Sequence, residues 1–534
     1  MKVPNWLAGL VQEHGASAVA LSTVIVLLLG IGGVSLVVRG GGATEDEAAA
    51  VAIDDGTQAG STPAGDEADV MDEMLSPAST DPGVAAGDAQ PSDGATSTDG
   101  TPTTAAGEGP LPTQNTTTGE GGVGSGSGGA SSPGGTGGGE VAPSGEPIVL
   151  GFEFIESLDA AIVGATAEST QFGDAEAAGQ RLLEWINETG GIAGRPVEGI
   201  FHGTNLESSS WAAQGQAACT HFAEDNDAFA VVSGFVGGGA GSLVACLAEH
   251  DVPLFAPDRS PYDSQSLAKY PDHLFMMGRL SMQRGARAYV HGLASQDWYD
   301  GATVGLLRFD RAEFDRTMDE VVRSRLAAHG VENFEEVEVT FPNSGGDLGA
   351  VSAQIQNAIV RFRAAGVDHV MFLDWAGTLA FLFLPEAESQ GYRPLYAFNT
   401  ANAPSLQSGN APAEQLRGTI GVGWNPGEDG VGSEITNPTE QLCEEILDDI
   451  SSAEALSYCD FLLLLRNALD GAGTVDVSTL RTGVERLGSS YQSPTSYGTF
   501  YGPSQHDGPS AARLFQFEDE CGCFRVFGPE LAVP

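Results

Sequence analysis

The sequence predicts an α/β protein with two doubly wound parallel-sheet lobes joined by a hinge, preceded by one transmembrane helix and a disordered linker. Three observations carry that prediction. From Pro147 onward, apolar β-type runs alternate with amphipathic helical stretches, the pattern of βαβ units and parallel sheets. The alternation runs twice, with a join near Met276 to Arg279. Ahead of Pro147 lies one uncharged apolar segment followed by low-complexity sequence.

Taken in chain order, residues 1–15 read as a short cytoplasmic tail. Residues 16–38 hold no charged residue and are rich in Leu, Val, Ile, Ala and Gly. As a helix they would reach roughly 30–35 Å, enough to cross a bilayer core. A cleavable signal peptide, with Gly42-Ala43 supplying the small residues, is the alternative, although its apolar core is usually only about 7–15 residues. No Cys lies in or just after the run, which excludes a lipid-modified Cys anchor. Lys2 and Arg39 flank the run and give a poor positive-inside signal. The expected topology is a single-pass cell-membrane anchor with everything downstream extracytoplasmic. Residues 40–146 are Gly, Ser, Thr, Pro, Ala and acids without a Lys or Arg. They are too poor in apolar side chains to offset chain entropy, so they read as a flexible tether.

Residues 147–534 form the folded region. Strands are predicted at 148–152, 197–201, 228–232, 253–256, 302–307, 336–339, 369–373 and 395–398. Helices are predicted at 172–187, 208–222, 241–250, 314–329 and 351–365, with further helical patterns over 437–488.

The formal net charge is −49, from 23 Lys+Arg against 72 Asp+Glu. The only lysines are Lys2 and Lys269. Such a chain lacks the cations that displace counterions from phosphates, which excludes nucleic acid as a partner. It lacks equally the basic surface that docks on anionic lipid. The tether holds eighteen of the acids and the folded region most of the rest, so the folded surface is itself strongly anionic.

The run from Trp185 to Val197, with Ile186-Asn187 and then Gly190-Gly191-Ile192-Ala193-Gly194-Arg195-Pro196-Val197, resembles the first helix and second strand of the type I periplasmic binding proteins. The branched-chain amino-acid and amide binders are the nearest branch. More of the pattern follows in order: Gly234 to Gly241 after the third strand, Val252 to Pro257 on the fourth, then Gly346-Asp347 and Gly366 to Val370. The resemblance covers nearly all of 147–534. It implies that 147–534 is a ligand-binding domain of two lobes that close on a small ligand, an amino acid or amide, with cleft water expelled. Its several crossovers place the first lobe at about 147–276 and 400–496, to which the helical patterns over 437–488 return, and the second at about 277–399 and 497–534.

The six cysteines are Cys219, Cys246, Cys443, Cys459, Cys521 and Cys523. The resemblance implies a Cys219–Cys246 bridge between adjacent helices. Cys443 and Cys459 flank a short helix pair and form a natural second bridge. Cys521 and Cys523 are either a tight local disulfide or two free thiols. An even count fits an oxidising compartment. The scattered histidines offer no four-ligand cluster of the kind zinc requires, and no cofactor is expected.

Ligands of open α/β sheets bind beyond the carboxyl ends of strands. In the first lobe these ends supply Gly238, Gly239, Ala240, Gly241 and Ser242, a helix start suited to a carboxylate, and then Arg259 and Ser260. The family usually places Ser or Thr hydroxyls in the glycine loop, and here only Ser242 offers one. In the second lobe, Trp298-Tyr299-Asp300-Gly301 is similar to the family's aromatic segment, making Tyr299 the side chain expected to close over the ligand. Asp374, beside Trp375, stands where the family holds the ligand's ammonium; capping of the following helix is its other reading. Together these imply a zwitterionic ligand. No Gly-x-Ser-x-Gly elbow or phosphate-binding Gly-Lys-Ser/Thr loop occurs, so no enzyme activity is expected. The expected role is capture of a solute for an ABC-type transporter, with a membrane permease as partner. A ligand-sensing ectodomain acting through a partner membrane protein is the alternative.

Overall fold

The first sheet is wholly parallel and is built from β1 (Ile148–Ser157), β2 (Val197–Asn205), β3 (Ala230–Ser233), β4 (Leu254–Ala256) and β5 (Leu274–Met276) in the order β2-β1-β3-β4-β5. The computed structural model describes residues 143–157, 173–205, 210–234, 239–257, 260–430, 437–450, 452 and 454–533. The expected span at 16–38 and nearly all of the tether at 40–146 lie outside these residues. Among the described residues no helix is long and apolar enough to cross a membrane.

Alternation along the strands explains the two covered faces. Val231, Leu254 and Leu274 point into one core, with Phe222, Leu243 and Leu247 from the helices Trp211–Cys219 and Gly239–Glu249 and the turn between them. Val232, Phe255 and Phe275 point into the other, against Leu182 and Ile186 of Ala175–Glu188 and Phe461 and Leu464 of Ala455–Leu469. A strand buried on both faces has no polar alternation. Gly151 shows how tightly the layers meet: a Cβ there would come within 2.7 Å of the Phe222 ring.

The second sheet contains β6 (Val304–Phe309), β7 (Glu335–Val339), β8 (His369–Leu373), β9 (Leu395–Asn399), β10 (Ile420–Gly423), β11 (Ala511–Glu518) and β12 (Cys523–Ala532) in the order β12-β11-β10-β9-β8-β6-β7. β6 to β10 are parallel, while β11 and β12 extend the sheet as an antiparallel hairpin. The helices Met282–Ala294, Leu348–Ala365 and Thr378–Ser389 belong to this lobe. One lobe boundary is corrected here. Residues 400–430 carry β10, which pairs with β9, so they belong to the second lobe rather than the first. The helices Pro438–Leu447, Ala455–Leu469 and Val477–Leu487 do return to the first lobe.

The lobes are joined by bonded crossovers. The Met276 N–H donates to the His506 carbonyl at 2.7 Å and the Gly508 N–H to the Met276 carbonyl at 3.0 Å. Asp507 accepts from the Ser281 N–H and hydroxyl at 2.9 and 2.8 Å and pairs with Arg284 at 2.8 Å. Three disulfides are formed: Cys219–Cys246, Cys443–Cys459 and Cys521–Cys523. The first two staple helix pairs, and the third closes the tip of the β11–β12 hairpin.

Candidate functional site

The carboxyl ends of the parallel strands in both sheets open onto one cleft, because the crossovers bring the two sheets end to end. The lobes touch across it. The Trp211 N–H of the first lobe donates to the Asn343 carbonyl of the second at 3.0 Å, and the Trp211 ring meets Trp375 edge to face at 6.2 Å between centroids. Trp375 in turn stacks on Phe341 at 5.1 Å. Asp263 of the first lobe and Arg316 of the second form an ion pair at 2.6 Å. Burial pushes the Asp263 carboxyl up, but hydrogen bonds from Arg316 and Ser266 outweigh it and hold the group below the usual carboxylate range.

The outer part of the cleft is a cavity of about 650 Å³, within the range of small-molecule sites. Its first-lobe wall is Ala240, Gly241 and Val244 of one helix, then Tyr262, Lys269 and Tyr270 around the helix Ser264–Lys269. The second-lobe wall is Arg311, Glu313 and Arg316, which follow the end of β6. The Tyr262 hydroxyl donates to the Ala240 carbonyl at 3.2 Å and fixes its ring in the wall. Arg311 pairs with Glu313 at 2.7 Å and lies 4.3 Å over the Phe341 ring.

A smaller cavity of about 50 Å³ lies toward the hinge, bounded by Ser260, Arg279, Asp374, Trp375, Asn399 and Trp424. Pro261 and Tyr262 line both spaces. The indole N–H groups of Trp375 and Trp424 are buried without a hydrogen-bond partner. The inner space is large enough for a water molecule to satisfy such donors. Arg279 donates to the Thr400 carbonyl at 3.1 Å and pairs with Glu428 at 2.5 Å.

The structure distributes the sequence-predicted residues unevenly. Ala240 and Gly241 line the outer cavity, and Ser260, Asp374 and Trp375 line the inner one. Gly239 opens the helix behind them. Gly238 and Arg259 lie outside the described residues. Three expectations are corrected. The Ser242 hydroxyl donates to the Gly239 and Ala212 carbonyls at 2.7 and 2.9 Å, tying two helices together instead of reaching the cleft. Tyr299 precedes β6, at the end of the sheet away from the cleft; it is buried, with its hydroxyl 3.9 Å from the Met371 sulfur and its ring stacked on His329. Its packing follows from its place before the strand, whereas side chains that reach the cleft come after a strand.

Asp374 takes its capping role. One oxygen accepts from the Trp375 N–H at 2.7 Å, and the other from the Leu379 and Ala380 N–H groups at 2.8 and 3.3 Å. Burial pushes its carboxyl up to about 8 despite those donors. A carboxyl that is largely neutral near pH 7 and bonded to a helix start is a poor seat for an ammonium. The residues missed in the sequence are Lys269, Arg311 and Arg316 on the outer wall, and Arg279 and Trp424 on the inner one. The rule that ligands sit past strand ends reaches Arg311, two residues after β6. Lys269 was marked by composition alone, as the single lysine beyond residue 2.

Two α/β lobes with parallel sheets, an inter-lobe cleft and paired crossovers define the two-lobed solute-binding class. The sequence profile described as periplasmic binding protein matches residues 161–521, and the chain belongs to that family. Solved structures agree on the fold. A possible leucine/isoleucine/valine-binding protein from Rhodopirellula baltica SH 1 superposes with a TM-score of 0.54 at 12% identity, covering 72% of this chain and 96% of its own. A branched-chain amino acid transporter substrate-binding protein from Streptococcus pneumoniae, solved with isoleucine, gives 0.50 at 18% identity over 73% and 99%. An ABC transporter solute-binding protein from Rhodopseudomonas palustris HaA2, in complex with p-hydroxybenzoic acid, gives 0.53 at 14% identity over 73% and 98%. No curated protein sequence matches the chain.

Proposed function

We propose that this chain is a membrane-tethered, extracytoplasmic solute-binding protein, without catalytic activity, that encloses a small carboxylate-bearing solute and delivers it to an ABC-type permease. The observation that carries the reading is the 650 Å³ cleft walled by both lobes, with Lys269, Arg311 and Arg316 on its surface. A space walled by two lobes buries its occupant only when they close, which is the hinge type of transition. The ligands printed for the similar structures, isoleucine and p-hydroxybenzoic acid, share a carboxylate and little else. The zwitterion expected from the sequence depended on Asp374, and its capping role withdraws that support.

The test is a thermal-shift screen of the full chain in detergent against amino acids, aromatic and aliphatic carboxylates, amides, sugars and polyamines. A ligand at a hundred times its Kd adds about 2.7 kcal/mol to unfolding, a clear rise in melting temperature. Stabilisation by carboxylates is expected; stabilisation by polyamines or sugars alone would overturn the reading. The anchor at 16–38 is tested by alkaline carbonate extraction of membranes, where the chain is expected in the pellet and its recovery in the supernatant would refute tethering.

A further inference from the structure

The outer cleft differs in charge from the protein around it. The chain carries −49 overall, yet among the described residues the charged side chains facing this cavity are Lys269, Arg311 and Arg316 against a single Glu313. Two of the three cations already have carboxylate partners. Arg311 is paired with Glu313, and Arg316 is paired with Asp263 across the lobes. Lys269 has no ion pair among the described residues, and its ammonium lies 4.8 Å from the centre of the Tyr270 ring. Pairwise matching therefore leaves one positive charge on the wall of a cavity that Val244, Tyr262 and Tyr270 also face, with Gln265 and Ser266 as its uncharged polar side chains among the described residues.

We infer that Lys269 is the charge partner of the bound solute, and that this solute is a small apolar monocarboxylate, aromatic or branched, with no ammonium group. The inference rests on the capture reading and narrows its ligand. Lys269 stays open to solvent on the rim of the cavity, where its ammonium offers a carboxylate a charge-assisted hydrogen bond. One carboxylate balances one ammonium. A zwitterion would bring a second charge into a cavity whose carboxylate, Glu313, is engaged by Arg311. The tyrosine faces, the Val244 side chain and Ala240 suit a ring or a branched alkyl body, and a volume of about 650 Å³ accommodates one of benzoate or leucine size.

The experiment is calorimetric titration of the full chain in detergent with leucine, 4-methylpentanoate, benzoate and benzamide, repeated on Lys269→Met and Lys269→Arg. Leucine and 4-methylpentanoate differ only by the amino group; benzoate and benzamide differ by the charge. The expected result is tenfold or tighter binding of each carboxylate over its counterpart, loss of at least tenfold in Lys269→Met, and recovery in Lys269→Arg. Lys269 is exposed, and an unchanged melting temperature in the variants confirms that they fold. Leucine binding as tightly as 4-methylpentanoate, or Lys269→Met binding carboxylates like the wild type, overturns the inference and leaves capture standing. If none of the four binds while a sugar or polyamine raises the melting temperature, the capture of a carboxylate falls as well.

Discussion

The two lobes share an architecture but are held together by different means. Covalent staples sit on both faces of the first sheet, with Cys219–Cys246 tying the helices of one layer and Cys443–Cys459 those of the other. In the second lobe no helices are stapled, and its disulfide closes only the hairpin tip. Its core rests on packed rings without a helix staple: Phe372 meets Phe383, Tyr396 and Phe398, and Phe398 passes the chain to Phe524 and Phe515. The first lobe, by contrast, adds its staples to a ring run of its own through Phe152, Phe461, Phe255 and Phe275. Crosslinks act chiefly by restricting the unfolded chain, whereas packed rings act in the folded state. The lobes should therefore respond to different perturbations.

Phe372→Ala should have the largest effect, about 3–5 kcal/mol, and urea denaturation should show the same loss with and without reductant. A cost that vanished on reduction would mean that the lobes do not unfold independently. Next comes the first lobe. Replacing Cys219 and Cys246, separated by 27 residues, with Ser should cost about 3–4 kcal/mol by loop entropy, while the same change at Cys521 and Cys523, separated by 2, should cost only about 1–1.5 kcal/mol. Equal losses at both sites would erase the contrast. Asp374→Ala should cost about 2 kcal/mol by leaving helix N–H groups without an acceptor, again in the second lobe and again by denaturation. A separate effect concerns pH. Burial raises Asp374 and Asp429 from 3.8 to about 8 each, so the folded state keeps protons that the unfolded chain releases. Their contribution is complete below about pH 4 and is lost as pH rises through about 8. The melting temperature should fall between pH 5 and pH 8.5, by less in Asp374→Asn. A rise over that interval would contradict the buried neutral carboxyls.

The two-lobed fold was legible because most strands are buried on both faces and read as unbroken apolar runs. Of the strands absent from the predicted set, β10 spans only Ile420-Gly421-Val422-Gly423. Its glycines look like a turn, yet a Cβ at Gly421 would lie 2.1 Å from the Phe515 ring. The residue that disguises the strand is the one that lets the antiparallel hairpin pack beside it. Among site residues chosen by position after a strand, Ala240, Gly241, Ser260 and Trp375 line the cavities, while Ser242 turns back onto two carbonyls. Tyr299 was chosen by the likeness of a four-residue segment and lies before a strand, where the same aromatic–glycine pattern serves packing. Lys269 stood in no motif, since its meaning comes from the pairing of Arg311 with Glu313 and of Arg316 with Asp263 on the opposite lobe.

The Asp263–Arg316 pair has a consequence for the rate of capture. It is a bond between the lobes made by the protein alone, so it favours the shut arrangement whether or not a solute is inside. A shut trap admits nothing, and the apparent affinity of any state is scaled by the fraction of molecules competent to receive the solute. Arrival would then be paced by how often this pair parts. Because Arg316 is partly exposed to solvent, added salt should loosen it. The ionic strength of the surroundings thereby becomes a setting for how quickly the two-lobed domain samples its environment.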